Sequence, residues 1–573
     1  MARYATQRVW SGEVQIFALT HQMDDGAGAA PSVLQTSLAP DAFASWAGIQ
    51  TIAGRTALAE KTATWSQDPA VLRARSHEFA VLQQSLLDSP DTLLALKAKF
   101  VTLAGLEADL QSLCEPASDL EQEGYKELLF LPNWAKPLNF IPYLLVLWAV
   151  LRIYVFPGIS LLMPLAMLLA PFFLLRFLFG IPITPDRYLN IVQGLFSGNI
   201  GAALQPGASV ASAASAASAA SAASPLPSFM QGFDLGQITK IGFLGVTVVQ
   251  SFLQPYWTYK HLAAIDDILS AKAKTLEAFQ TLYEEIRATL KTTGYTLSPN
   301  PFRPSSQEPR AIVAFAHLSP VFLQLAVKRL GSLEALVCLA GRSDICPVVW
   351  TPGKTKRDRD MDMEGEATLV LRNTYDYRVP VASRKTFSIC LQEGHTAHAL
   401  LTGPNRGGKS TTLRALVTST LLAHTYGCAT AQGAEMSIFS AVRICLTPED
   451  LPGSKSRFER EIEFTASTLQ ENTGPSLVLI DELFHSTNPP DAERACRIYT
   501  DRLWRKPHTL SVISTHLFDF VKGAPESVQR LCCPATERPD GSINYTYQLS
   551  PGVCTVSSVN ELLVEHFMPS AAK

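Results

Sequence analysis

The chain has 573 residues, enough for two to four domains, and 47% of them are apolar, so sizeable cores can form. A net charge of −3 excludes the overall basic field that non-specific nucleic-acid binding uses. Its ten cysteines include no C-x-x-C pair, which speaks against a zinc site or a disulfide framework and for a reducing compartment.

Residues 1–30 carry Glu13, Asp24 and Asp25 and lack a charged-then-apolar pattern, so no secretory or organellar leader is expected. Residues 1–135 read as helical. In "DTLLALKAKFVTLAGLEADLQSL", Leu93, Leu94, Leu96, Phe100, Leu103, Leu106 and Leu110 recur at three- and four-residue steps, as one amphipathic helix requires. The composition then changes across 136–187. "NFIPYLLVLWAVLRIYVF" and "ISLLMPLAMLLAPFFLLRFLFGI" flank Pro157-Gly158. A helix rises ~1.5 Å per residue, so each run can cross a hydrocarbon core of ~30 Å, the first one barely. The spacing predicts an apolar helical hairpin turning at Pro157-Gly158, read as transmembrane over 139–181, with Lys136 and Arg187 at its outer ends. Arg152 and Arg176 inside the runs would have to snorkel, and Pro164 and Pro171 would kink the second helix. A hairpin buried in a large soluble core is the alternative.

Residues 188–234 hold "SVASAASAASAASAASPLPS", a Ser/Ala repeat with nothing large to bury, which reads as a linker. Across 235–350 helical patterns return: "IGFLGVTVVQSFL", a long helix through "YKHLAAIDDILSAKAKTLEAFQTLYEEIRATL", and a further stretch over 317–342. From 351 to 573, after the charged "TPGKTKRDRDMDMEGE", short apolar runs alternate with helical patterns, the mark of an α/β domain.

Inside that domain "LLTGPNRGGKSTTLRAL" matches G-x-x-x-x-G-K-[ST] at every fixed position, between a strand pattern and a helix pattern. Gly403, Gly407 and Gly408 let the loop Gly403-Pro404-Asn405-Arg406-Gly407-Gly408 turn its backbone N–H groups, which Pro404 lacks, around phosphate oxygens, and the following helix adds its positive end. Lys409 would reach the β- and γ-phosphates of ATP, Ser410 would put its hydroxyl on Mg²⁺, and Thr411 follows it. "SLVLIDE" supplies a second strand ending in Asp481, a candidate Mg²⁺ ligand, and Glu482, a candidate general base on water. After the strand "TLSVIS" comes His516, placed to sense the γ-phosphate.

Together these segments resemble the MutS family of ABC-like ATPases. "LTGPNRGGKST" resembles that family's T-G-P-N-x-G-G-K-S-T loop. In "EDLPGSKSRFEREIEFTASTL", Ser456, Phe458 and Glu461 hold the marked positions, and "LVLIDELFHSTNPPD", "ISTHLFDF" and "YQLSPGVCTVSSVNEL" are similar to later segments. The resemblance implies an α/β P-loop NTPase of MutS type preceded by all-α lever helices. It implies hydrolysis of ATP with Mg²⁺ by Lys409, Glu482 and His516, and a homodimer or heterodimer through the ATPase domains in which Ser456 acts on the partner's nucleotide. It also offers Tyr375 as a residue that stacks on adenine, a packed strand tyrosine being the alternative. More weakly, "GSLEALVCLA" is similar to the helix joining levers to ATPase domain.

Departures set the expected biology. Arg406 stands where the loop usually has a small or apolar residue, and Phe484-His485-Ser486-Thr487 stands where a glycine-rich, arginine-bearing loop is common. The mismatch-reading F-x-E motif is absent, and the apolar hairpin and linker occupy the insertion point of the DNA clamp. The reading is therefore a membrane-anchored ATPase whose inherited context is mismatched-DNA binding in repair, with its ATPase domain on the cytoplasmic side. The alternatives are a soluble DNA-binding ATPase of repair or recombination, in nucleus or cytosol, and a non-catalytic interaction protein.

Overall fold

The computed structural model describes residues 39–63, 65–114, 119–141, 143–197, 235–351, 366–446, 456–471, 474–539, 542–559 and 561. The Ser/Ala repeat and most of the charged stretch after Thr351 lie outside the described residues. The chain divides into two compact units. One comprises Met1–Gln111, Ala278–Phe302 and Val321–Lys573; the other comprises Ser112–Glu277 and Arg303–Pro320.

The first unit carries thirteen described strands: β1 Cys346–Thr351, β2 Thr368–Thr374, β3 Phe387–Gln392, β4 His398–Thr402, β5 Cys428–Ala429, β6 Gly433–Ser437, β7 Ala441–Cys445, β8 Ser476–Ile480, β9 Thr509–Ser514, β10 Val528–Cys532, β11 Ala535–Glu537, β12 Ile543–Tyr545 and β13 Ser550–Pro551. Six form a sheet in the order β13-β10-β4-β9-β8-β7. All its pairings are parallel except β10 with β13. Every residue of β4, β8 and β9 is buried, as expected of parallel strands covered on both faces, and this is why those runs read as unbroken apolar stretches. Helices Lys409–Tyr426, Arg457–Thr468 and Pro489–Leu503 belong to this α/β part. A second, mixed sheet runs β3-β2-β6-β1-β5.

The helical part of the same unit is tied down by two carboxylates. The predicted amphipathic helix is present as Pro90–Cys114, and Leu96, Phe100, Leu103 and Leu110 are buried. Leu94 is 71% exposed, and Glu107, not a leucine, completes the inward stripe. Glu107 accepts the N–H groups of Ile52 and Ala53 at 2.6 and 2.8 Å. Glu334, fully buried, accepts the Gln50 N–H at 2.7 Å, the Thr51 N–H and the Thr51 hydroxyl. The orphan donors at the start of helix Ile52–Ala63 are thus met by side chains from two distant helices. Burial pushes both carboxyls above the usual range.

In the second unit the expected hairpin is corrected. The chain is helical from Leu144 to Leu178, with π-helical turns at Leu151–Val155 and Leu174–Leu178, and it does not reverse at Pro157-Gly158. Pro157 lies in the first turn of helix Phe156–Phe173, just after the first π-turn, where a missing N–H is tolerated. The break comes instead after Gly180, whose left-handed φ of 63° is open to glycine and costly to other residues. Arg152 does not have to snorkel: it pairs with Glu127. Lys272 bonds Glu121 and Tyr125 at 3.0 Å each, and Arg310 grips Asp266 at 2.8 and 2.9 Å. The two helical patterns expected after the linker form one helix, Leu235–Lys291, with Pro255 inside it. The stretch expected over 317–342 is two helices, Pro309–Leu318 and Pro320–Ala340, broken where Ser319 leaves the helical region ahead of a proline.

Candidate active site

The loop after β4, at the carboxyl end of the central parallel strands, leads into helix Lys409–Tyr426. Two of its glycines have left-handed φ, Gly403 at 149° and Gly408 at 106°. A Cβ on Gly407 would lie 2.9 Å from the Pro404 carbonyl, so the turn cannot be as tight with a larger residue. Arg406 is forced to a φ of 63°, a conformation that costs a non-glycine residue about 1–3 kcal/mol. Pro404 is buried and Asn405 exposed, while Ser410 and Thr411 are half-buried at the helix start. Lys409 is 5% exposed, and its ammonium donates to the carbonyls of Gly403 and Pro404 at 2.9 and 3.1 Å. Burial lowers its pKa, and the nearby charges of Glu482 and Asp481 oppose that. Thr411 accepts from Arg414, which is itself fixed by the buried Asp376 at 2.9 Å.

Asp481 and Glu482 follow β8 at the same end of the sheet. The Ser514 hydroxyl, at the end of the neighbouring β9, donates to Asp481 Oδ1 at 2.5 Å and accepts the Glu482 N–H at 2.9 Å. One hydroxyl therefore sets the acidic pair. Glu482 lies between two histidines: His516 Nε2 is 3.5 Å from Oε1, and His485 Nε2 is 3.8 Å from Oε2. The His516 imidazole holds the Glu482 carboxyl below its usual range against the effect of burial, with His485 and Lys409 acting in the same direction. Glu482 and Phe484 adopt left-handed φ values of 54° and 53°, so backbone strain is concentrated beside the acid. Phe484 is buried against Phe458 and Tyr499, plugging the core under the loop.

Among the described residues no cluster of three or more His, Cys, Asp or Glu side chains is placed to hold a metal. One hydroxyl (Ser410) and one carboxylate (Asp481) instead suit Mg²⁺, which takes few protein ligands and completes its shell with water and phosphate oxygens.

Ser456 is the N-cap of helix Arg457–Thr468. Its hydroxyl accepts the Glu459 N–H at 3.3 Å while Glu459 takes the Ser456 N–H at 2.8 Å, a capping box on an exposed residue. Asp491 is exposed in the first turn of helix Pro489–Leu503. Tyr375 follows the packed alternative and not the stacking one. It is 2% exposed, its hydroxyl donates to the Asp344 carbonyl at 3.0 Å, and the Arg384 guanidinium lies 4.2 Å from its ring centre. The aromatic residue beside the loop is Tyr547, 50% exposed and stacked on Tyr545. A Cβ built on Gly408 would be 3.9 Å from it. His485 stands out in the sequence only as a departure from the family's loop, and Tyr547 and Ser514 carry no motif signal beyond lying inside or next to a quoted segment.

A glycine-lined loop, a buried lysine and an acid pair converge at the edge of one parallel sheet. Residues 399–569 match MutS domain V. The chain is 34% identical over 184 residues to the DNA mismatch repair protein MutS of Thermus thermophilus, a stretch covering 31% of this chain and 22% of that protein. It is 33% identical over 184 residues to the protein of the same name from Thermus aquaticus, with the same coverage. To DNA mismatch repair protein MutS 2 of Haloarcula marismortui it is 28% identical over 249 residues, 41% of this chain and 26% of that protein. The likeness thus spans about a quarter of the length of these relatives. The domain V segment contains every residue of the site described above except Tyr375, its partners Asp344 and Arg384, and Asp376.

Proposed function

We propose that this chain is an ATP hydrolase of MutS type that uses Mg²⁺ and works as a dimer. The observation that carries this reading is the convergence of Lys409, Asp481, Glu482 and His516 around the loop Gly403–Gly408. Phosphate oxygens would take over the ammonium of Lys409 from the loop carbonyls, and Ser410 and Asp481 would hold Mg²⁺, whose chemistry there is to neutralise phosphate charge. Glu482, kept ionised by His516, orients and deprotonates the attacking water. Tyr547, the exposed ring beside Gly408, takes the stacking role first sought at Tyr375. Ser456, at an exposed helix start, contacts the nucleotide of a partner subunit. The test is Glu482→Gln in the full chain. It retains ATP binding and loses turnover by at least about 100-fold; unchanged hydrolysis overturns the assignment.

Hydrolysis is proposed to drive a dimer-coupled conformational change, and its target is proposed to be a bilayer. Among the described residues one helix, Leu144–Ala166, is long and apolar enough to cross it, with a mean hydropathy of 2.0 and 22% of it buried. Leu162 and Phe177 are 61% and 73% exposed on the same helical run. The second reading, a soluble ATPase acting on DNA, rests on the printed names of the relatives. DNA-stimulated turnover of a soluble chain would favour it.

A further inference from the structure

A cavity of about 10 Å³ touches both Asp481 and Glu482, the size that admits a single water. Cys445, Phe464, Ile480 and Phe484 give it apolar walls, and Glu461 gives it a carboxylate. Glu461 is 6% exposed. Its Oε1 lies 3.8 Å from the Arg457 guanidinium, its Oε2 is fully buried, and Ser486 faces the same carboxylate with its hydroxyl and N–H. A buried carboxylate gives up much of its hydration, and a water-sized space beside it is where one water restores part of that. Water in that space would find Glu461 on one wall and the acid pair on another, the polar partners an internal water needs.

We propose that Glu461 is a positioning residue of the hydrolysis site, acting through one water held between its carboxylate and the Asp481–Glu482 corner. This rests on the ATPase reading above. The same helix begins at Ser456, about one and a half turns before Glu461, and its last carbonyls are pinned by Lys506, which donates to Thr468 and Gln470 at 2.7 and 2.5 Å. Ser456 and Glu461 lie on one continuous helix, which moves as one piece. Displacement of Ser456 by a partner's nucleotide therefore shifts Glu461, its water and the acid corner together, so turnover in one subunit registers the state of the other.

The experiment compares wild type, Glu461→Gln, Glu461→Leu and Glu482→Gln as full chains. Affinity for a fluorescent ATP analogue, kcat, KM and melting temperature are measured, and a high-resolution crystal structure of the wild type is determined. Glu461→Leu fills the cavity and lowers kcat about 10–100-fold with affinity unchanged, the range seen when groups behind a site are removed. Glu461→Gln, which keeps shape and one acceptor, falls less. The crystal structure shows a water bonded to Glu461 and to Asp481 or Glu482. Wild-type kcat in a folded Glu461→Leu, or in Glu461→Gln should the leucine variant fail to fold, overturns the proposal, as does a dry cavity. A wild type that never hydrolyses ATP is a different failure: it removes the ATPase reading itself, and the positioning role with it.

Discussion

Buried histidines give the unit that carries the parallel sheet a defined response to acid. His398 is 6% exposed and burial lowers its pKa to about 4; His424 is fully buried, stacked on Trp65, and lowered to about 3. The unfolded chain takes up these protons near pH 6.5, the folded chain only at the lower values. Stability is therefore full above 6.5 and falls as pH drops towards 4, by about 1.4 kcal/mol per unit for each histidine. Urea titrations from pH 7 to 4.5 read this slope, and His398→Asn should flatten it by about half. At the same scale, Tyr547→Ala is expected to weaken ATP binding about tenfold, in line with the worth of one stacked base. Equilibrium binding measures this, and Tyr375→Phe should leave affinity unchanged. Lys409, Ser410, Asp481, Glu482 and His516 were legible because their spacing from neighbouring strands is local. Tyr547 and Ser514 were not, because what matters about them is which loop or strand they meet after folding.

Single atoms decide how the elements fit. A Cβ on Gly331 would lie 2.4 Å from the backbone of Ala53, and backbone cannot swing aside as a flexible side chain can. Gly331→Ala is expected to cost about 2–3 kcal/mol by separating helix Pro320–Ala340 from helix Ile52–Ala63, lowering the thermal midpoint measured by circular dichroism. An unshifted midpoint would contradict this packing. Element existence was readable from periodicity throughout, and the strand-loop-helix order of the phosphate loop was read correctly. Connections were harder. Pro157-Gly158 looks like a turn in isolation, yet the preceding π-turn lets the helix run through it, and Gly180 ends it. Glu107 looks like a solvated residue beside Leu106, yet it faces inward because Ile52 and Ala53 present N–H groups that need an acceptor.

For the whole molecule, carbonate-resistant fractionation separates the two readings of its target. The full chain is expected in the membrane pellet and a version lacking 139–181 in the supernatant, with ATP binding kept in both. If both stay soluble, the apolar run is an interface between protein surfaces, and DNA-stimulated turnover is the next measurement. The run is apolar in composition, and Leu162 and Phe177 on it are largely uncovered, as either a membrane-facing or a partner-facing surface requires. The segments that carry the functional reading, from the phosphate loop to the closing segment, lie within residues 399–569, the part that matches MutS domain V.

The two carboxylates at the start of helix Ile52–Ala63 also set a clock. Thr51 waits for Glu334, 283 positions further along the chain. At ribosomal speeds of about 5–20 residues per second, that is roughly 15–60 s during which the helix start has no Glu334 to close it. Helix Ile52–Ala63 is made early and its start is closed late, once Glu334 has been synthesised.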